Sequence, residues 1–151
     1  IPVVGGGQAS CLLAPLVGRQ AGLLLADTAR YAEKQLFVAQ CGVDPARIAA
    51  IGGIEARGVD LWAERERVLD LLTEAGRDLL VAGRVQVLLL GCLSFLGLAH
   101  PLSERLGVPV VDPAVAPVAL AECLVRQGIK TSRKAYPAPP LRKRTWQSGQ
   151  L

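Results

Sequence analysis

The sequence contains no methionine, one histidine and few aromatic side chains, with two each of Trp, Tyr and Phe. Because no initiator residue is present and the chain opens on the strand-like Ile1-Pro2-Val3-Val4, we expect a processed chain or a piece of a longer reading frame. The composition is 51% hydrophobic and only 20% charged, which is typical of an aliphatic-rich globular protein and not of a disordered one. The 151 residues suffice for about one domain.

Two further absences limit the chemistry and the location. The four cysteines lack CxxC spacing and only one histidine could assist them, so we expect no metal site. The longest apolar stretch, residues 85–99, is interrupted by polar residues and is too short to cross a bilayer. With no signal peptide at its start, the chain is expected to be cytoplasmic, with free thiols.

Acidic residues are missing from the C-terminal end, where basic residues and prolines accumulate. The net charge is +4, and no Asp or Glu follows Glu122. We therefore predict an α/β region over residues 1–129 and a Pro-rich basic tail over residues 130–151. No aromatic residues interleave with the basic ones as in a nucleic-acid groove, so we expect neither a nucleic acid nor a membrane as a partner.

Short apolar runs alternate with helical patterns five times, which predicts a parallel α/β sheet with flanking helices and right-handed crossovers. The predicted strands are residues 1–4, 21–26, 48–51, 85–90 and 108–111. The predicted helices are residues 8–17, 29–40, 60–83, 93–105 and 114–126. In the 60–83 helix the mixed charges, Arg65 among them, are interpreted as a solvated face. In the last helix, Val118, Ala121, Leu124 and Val125 are expected to form the core stripe, and Cys123 is expected to pack.

The stretch from Val85 to Cys92 is the most informative part of the sequence. Its apolar run, β-branched at the start, predicts a parallel strand buried on both faces. Cys92 follows Gly91 just past the carboxyl end of that strand, where ligands bind in open α/β sheets. Because helical spacing resumes at Leu93, the thiol is expected to face a helix N-terminus, which stabilises a thiolate. The alternative is that Cys92 is a small buried hydrophobe.

Two other turns could border the same site. Asp27 and Thr28 follow the 21–26 strand, although helix capping alone would explain both. The glycine-rich turn at residues 5–7 could hold an anion on its N–H groups. It lacks the Lys and Ser/Thr of a phosphate-binding P-loop, and close packing of a helix on a strand is the favoured alternative.

Several motifs together resemble the second half of the Asp/Glu/hydantoin racemase family. They are Leu90-Gly91-Cys92, the segment LGVPVVDP at residues 106–113 and Ala119-Leu120-Ala121-Glu122. Pro2-Val3-Val4-Gly5-x-Gly7-x-Ala9 resembles the family's mid-chain strand and turn, and Gly128-Ile129-Lys130-Thr131-Ser132 resembles the end of hydantoin racemases in particular. The resemblance covers about residues 1–140 and implies part of a two-lobed, pseudo-symmetric fold whose first half is absent here.

This resemblance implies a cofactor-independent isomerase that racemises or epimerises a carbon next to a carbonyl in a hydantoin or amino-acid type of small-molecule substrate. One thiolate removes the proton and a thiol on the other face returns one. Cys92 matches one of these two cysteines; the other belongs to the absent first half, and Cys11 is not expected to replace it. Leu93, Ser94 and Phe95 are expected to form a bulky wall beside Cys92. The candidate substrate-binding residues are Gly5, Gly7, Asp27, Thr28, Gly91, Leu93 and Ser94, and a homo-oligomer is expected.

Two alternatives stay open. A one-cysteine decarboxylase or isomerase of the same superfamily would protonate an enolate from one face, and a second reactive thiol facing Cys92 would argue against it. A non-catalytic α/β binding module would use its Gly-rich turns for small anions. Slow, pH-independent alkylation of Cys92 would favour this second alternative.

Overall fold

The computed structural model describes residues 1–56 and 58–138, so the part of the predicted tail beyond residue 138 lies outside the described residues. Within these ranges five α-helices accompany four β-strands. The helices are α1 (Gly6–Val17), α2 (Tyr31–Gln40), α3 (Arg65–Gly83), α4 (Ala99–Leu106) and α5 (Val115–Arg126). The strands are β1 (Ala21–Leu25), β2 (Ile48–Gly53), β3 (Val87–Leu90) and β4 (Val110–Val111). Single 3₁₀ turns span Thr28–Arg30, Pro45–Arg47 and Leu93–Phe95.

The four strands form one parallel sheet in the order β2-β1-β3-β4, which confirms the predicted fold class. The two central strands, β1 and β3, are buried along their whole length, as an apolar run covered on both faces requires. The strand order reverses between β1 and β3, because the chain runs from β1 to one edge and then crosses back to β3. In open α/β sheets the carboxyl ends of strands at such a reversal are where ligands bind.

Helices cover both faces of the sheet and enclose two apolar clusters. Helices α3 and α4 pack on one face, where Leu72, Leu102 and Phe95 lie against Leu88 and Leu90 of β3. On the other face Cys11 and Ala14 of α1 and Val38 of α2 lie against alternate residues of β1 and β3. Because successive strand residues point to opposite faces, the unbroken apolar run of β3 contributes to both clusters.

The predicted strand at residues 1–4 is wrong. Ile1 and Val3 are almost fully exposed, and the segment leads into α1 without pairing in the sheet. The Thr131 hydroxyl donates to the Ile1 carbonyl at 3.4 Å, which places the segment beside residues 130–137. Four apolar residues cannot by themselves distinguish a paired strand from an extended segment outside the sheet.

The predicted core stripe of α5 is also wrong in part. Val118 is 58% and Val125 61% exposed, and Cys123 is exposed as well, whereas Ala116 is buried. The cause is that α5 packs mainly against α1, so the side of the helix that carries Val118 and Val125 is left largely exposed. In those residues no helix combines the length and the apolar character needed to cross a membrane.

Candidate functional site

Gly91 and Cys92 continue directly from β3 and lie beside the carboxyl end of β1. The Gly91 amide donates to the Leu24 carbonyl at 2.7 Å, and a Cβ at position 91 would stand only 2.8 Å from that oxygen. Glycine is therefore required for the close approach to β1. Cys92 has an extended backbone and is half-buried, with its side chain packed on the cluster that contains Phe95.

The predicted helix at residues 93–105 is interrupted, so no α-helix begins directly after Cys92. A single 3₁₀ turn, Leu93–Phe95, follows Cys92, and α4 begins only at Ala99. Between them Gly97 has a φ of 81°, a left-handed conformation that ends the turn and that glycine adopts without strain. The dipole of one short turn is a much weaker stabiliser of a thiolate than the helix that the sequence predicts.

Leu93 and Phe95, both expected beside Cys92, point in different directions. Leu93 is exposed and reaches towards α1, since a Cβ at Gly6 would lie 3.0 Å from Leu93 Cδ2. Phe95 is completely buried in the core beneath the turn. The expected wall of Leu93, Ser94 and Phe95 is therefore wrong for Phe95, which anchors the turn from below.

Two charged residues that the sequence did not assign to the site hold the segment after Cys92 in place. Arg65, predicted to face water, donates to the carbonyl of Ser94 at 3.2 Å and also to that of Leu96. The Asp112 carboxylate accepts from the amide of Gly97 at 2.8 Å with one oxygen and from the amide of Ala114 at 2.8 Å with the other. Asp112 thereby ties the segment to the end of β4. The sequence signal that could have identified Asp112 is its place in the LGVPVVDP motif at residues 106–113.

Removing the Asp112 carboxylate should destabilise the fold more than removing a purely local cap. Hydrogen bonds to a charged group contribute about 1.5–3 kcal/mol each, so we expect Asp112→Ala to lower the free energy of unfolding by about 2–3 kcal/mol. Asp44→Ala is the matched control, because among the described residues the Asp44 carboxylate accepts only from the amide of Ala46, two residues ahead. Its removal should cost about 1 kcal/mol. Urea unfolding measures both; equal losses would contradict the role of Asp112.

Asp27 and Thr28 lie at the same edge of the sheet, after β1. One Asp27 oxygen accepts from the Ala29 amide at 2.9 Å, which is the local capping contact that the sequence left open. The Thr28 hydroxyl donates to the carboxylate of Glu55, which follows β2. The Asp27 contact thus stays within the turn after β1, whereas the Thr28 contact links this turn to the end of β2. Contact of either side chain with a substrate stays a prediction.

The glycine-rich turn lets the first turn of α1 pack closely against its neighbours. Gly5 precedes α1, and its carbonyl accepts from the Ala9 amide at 2.9 Å. A Cβ at Gly6 would stand 2.5 Å from the Pro113 carbonyl, and one at Gly7 would stand 2.7 Å from the Phe37 ring. These distances agree with the packing alternative and bring α1 next to the Cys92 turn.

A cavity of about 190 Å³ opens at this edge, between the first turns of α1, helix α2 and the end of β3. Of the candidate residues, Gly7, Gly91 and Leu93 line it, whereas Gly5, Asp27, Thr28, Cys92 and Ser94 do not. Its remaining lining residues are Ser10, Cys11, Leu23, Lys34, Phe37, Val38, Leu89, Leu90 and Pro113. Sequence reasoning missed the contribution of α2, because its Phe37 meets the site only through tertiary packing.

The other three thiols differ from Cys92 in their surroundings. Cys11 and Cys41 are both buried and their thiols contact each other, whereas Cys123 is exposed on α5. Burial, with a smaller effect of the neighbouring Cys41, raises the pKa of the Cys11 thiol to about 12. Cys11 is thus protonated near neutral pH, where it cannot act as a base.

The buried Cys11 thiol should make the fold less stable in alkaline solution. In the unfolded chain the thiol loses its proton near pH 8.5, whereas in the folded protein it keeps the proton until about pH 12. The free energy of unfolding should therefore fall between pH 9 and 11, by up to about 1.4 kcal/mol per pH unit. Urea unfolding should show a shallower decline for Cys11→Ala and an unchanged one for Cys123→Ala; identical slopes in all three proteins would contradict this.

Comparison with known proteins completes the description of the site. Residues 1–121 match the sequence profile of the family described as Asp/Glu/Hydantoin racemase. Hydantoin racemase of Paenarthrobacter aurescens is 37% identical over 84 residues, which are 54% of this chain and 36% of that protein. Hydantoin racemase of Pseudomonas sp. (strain NS671) is 35% identical over 82 residues, 54% of this chain and 33% of that protein.

Solved structures share the fold. Allantoin racemase from Klebsiella pneumoniae matches with a TM-score of 0.83 and 23% identity, over 97% of this chain and 60% of that chain. Allantoin racemase from Pseudomonas fluorescens matches with a TM-score of 0.75 and 27% identity, over 97% of this chain and 62% of that one. The match thus spans about a third of the curated relatives and about three fifths of these solved chains.

Proposed function

The chain belongs to the Asp/Glu/hydantoin racemase family, and on this premise we propose that it forms part of a cofactor-independent racemase or epimerase. In this proposal the Cys92 thiol exchanges a proton with a substrate carbon that lies next to a carbonyl. The observation that carries it is the position of Cys92. It is the half-buried thiol just past β3, at the point where the strand order reverses.

The proposed chemistry is proton transfer through an enolate. The Cys92 thiolate removes the proton from the carbon, and the electron pair moves to the neighbouring carbonyl oxygen. The amides of Leu93 and Ser94 open the 3₁₀ turn, where N–H groups lack a partner within the turn, and they would stabilise the negative oxygen. For a substrate of the opposite hand, the Cys92 thiol donates a proton to the enolate instead.

The second acid/base is not assigned to any of the remaining cysteines. Cys11 and Cys41 are buried against each other, and Cys123 lies exposed on α5. In the order of motifs that the resemblance implies, the partner cysteine precedes the segment matched by Ile1 to Val4. A one-cysteine enzyme, which protonates from a single face, therefore stays as the second candidate.

A hydantoin-type substrate is the favoured class. The two curated relatives above 30% identity are both hydantoin racemases, whereas the allantoin racemase structures support the fold. The cytoplasmic location and the absence of nucleic-acid partners stay predictions. The homo-oligomer is also a prediction. The exposed valines of α5 support it, because exposed apolar surface favours association.

The test is deuterium incorporation at the reacting carbon, followed by proton NMR in deuterated water. The panel contains 5-substituted hydantoins, aspartate and glutamate. The enzymes are the 151-residue chain and a chimera in which it replaces the matching three fifths of the Klebsiella pneumoniae allantoin racemase chain. We expect exchange into hydantoins by the chimera at least. A folded chimera that exchanges no compound of the panel would contradict the proposal.

A further inference from the structure

The 190 Å³ cavity lies beside the proposed acid/base without including it. Gly91 and Leu93, the two neighbours of Cys92, both line the cavity. The cavity is smaller than the ~300–1,000 Å³ of clefts that hold a complete ligand, so it suits one substituent of a larger molecule. The cavity adjoins the turn that carries Cys92.

The walls of the cavity are mostly apolar. Leu23 of β1, Leu89 and Leu90 of β3 and Val38 of α2 are buried and form its inner part. The ring of Phe37 closes the side next to α1, where it packs on Gly7. An aliphatic group placed here would be removed from water and stabilised in proportion to the area it buries.

Two polar side chains of the lining, Ser10 and Cys11, already have partners, and the third, Lys34, carries only donors. The Ser10 hydroxyl donates to the Gly6 carbonyl at 3.1 Å, and the Cys11 thiol contacts Cys41. The Lys34 ammonium lies 5.5 Å from the centre of the Phe37 ring. A polar substituent with several N–H donors, such as a ureido group, would lose hydrogen bonds to water without regaining them here.

We propose that this cavity binds an apolar substituent of the substrate and that Phe37 forms the apolar wall against which the substituent packs. The inference rests on the proposed function and narrows it. The preferred substrates are hydantoins with an aliphatic substituent at the reacting carbon, and hydantoins with a ureido substituent, such as allantoin, bind weakly.

The test measures affinity along a series, by isothermal titration of the whole chain with 5-methyl-, 5-ethyl-, 5-propyl- and 5-isobutylhydantoin. We expect the dissociation constant to fall about fourfold for each added methylene group that enters the cavity. Allantoin, close in size to the isobutyl compound, should bind at least tenfold more weakly than that compound. A flat series, or allantoin binding as tightly as the isobutyl ligand, would overturn the inference.

Two neighbouring substitutions on α2 distinguish an effect on the cavity wall from a general effect on the helix. Phe37→Ala removes the wall and should reduce the gain per methylene to less than twofold, while the affinity for 5-methylhydantoin stays within twofold. Leu36→Ala is the control, because Leu36 is exposed and does not line the cavity. An equal effect of both substitutions, or none from Phe37→Ala, would contradict the role of Phe37.

The same series in Cys92→Ala keeps this inference separate from the proposed function. The dissociation constants along the series test the role of the cavity, whereas deuterium exchange tests the role of the Cys92 thiol. If Cys92→Ala retained exchange while the affinity series persisted, the assignment of Cys92 would fail and the cavity would stand. If exchange required Cys92 but affinity did not change along the series, the cavity assignment alone would fail.

Discussion

Cys92→Ala should abolish measurable racemisation, lowering the rate by about 10²–10⁴-fold. A positioned general acid or base contributes a factor of this size, and alanine can neither accept nor donate the proton. The loss should appear in kcat, with substrate affinity changed little, because the thiol interacts most strongly with the proton in transit. The measurement is the decay of optical rotation of a single enantiomer of a 5-substituted hydantoin, with the chimera as enzyme.

Cys123→Ala is the matched control for this experiment. Cys123 is the exposed thiol of α5, and its sulfur accepts from the Gln127 side-chain amide at 3.0 Å. Its removal should leave the rate within twofold of the parent. A Cys92→Ala protein that keeps more than a tenth of the parent rate would contradict the assignment of Cys92.

Phe95→Ala should cause the largest loss of stability among these variants, about 3–5 kcal/mol in the free energy of unfolding. Phe95 is 0% exposed and fills the core beneath the turn that carries Cys92. Truncating a buried phenylalanine removes its hydrophobic stabilisation and leaves a cavity that the surroundings fill only in part. Urea unfolding followed by circular dichroism measures the loss.

Leu96→Ala tests whether the burial of the Phe95 ring causes this loss of stability. Leu96 is the next residue along and is 41% exposed, while its carbonyl still accepts from Arg65 after the side chain is removed. It should cost less than about 1 kcal/mol. Similar losses from Phe95→Ala and Leu96→Ala would show that the turn is held by its backbone contacts and not by the buried ring.

The central part of the fold could be predicted from residue pattern. The run at residues 85–90 is long, apolar and followed by glycine, which is sufficient to indicate a buried parallel strand with Cys92 at its carboxyl end. Its neighbour β1 was identified for the same reason. Local chemistry also placed Asp27 as a capping residue, since an aspartate before a helical turn commonly accepts from the amide two residues ahead.

What could not be predicted depends on tertiary contacts. Helical spacing continues across Gly97, and only the structure shows that its backbone turns left-handed and separates the 3₁₀ turn from α4. Arg65 has the sequence context of a solvated charge, because its carbonyl partners lie about thirty residues further along the chain. The apolar stripe of α5 predicted burial, but a stripe does not indicate which surface covers it.

The most direct test of the account is to compare alkylation of Cys92 with catalysis in the same sample. Iodoacetamide is added in steps, the modified fraction of each cysteine is determined by mass spectrometry, and deuterium exchange into a hydantoin is measured at each step. We predict that exchange falls in proportion to the fraction of Cys92 modified, that modification of Cys123 has no effect, and that substrate slows the reaction at Cys92. Exchange that persists after complete modification of Cys92 would contradict the account.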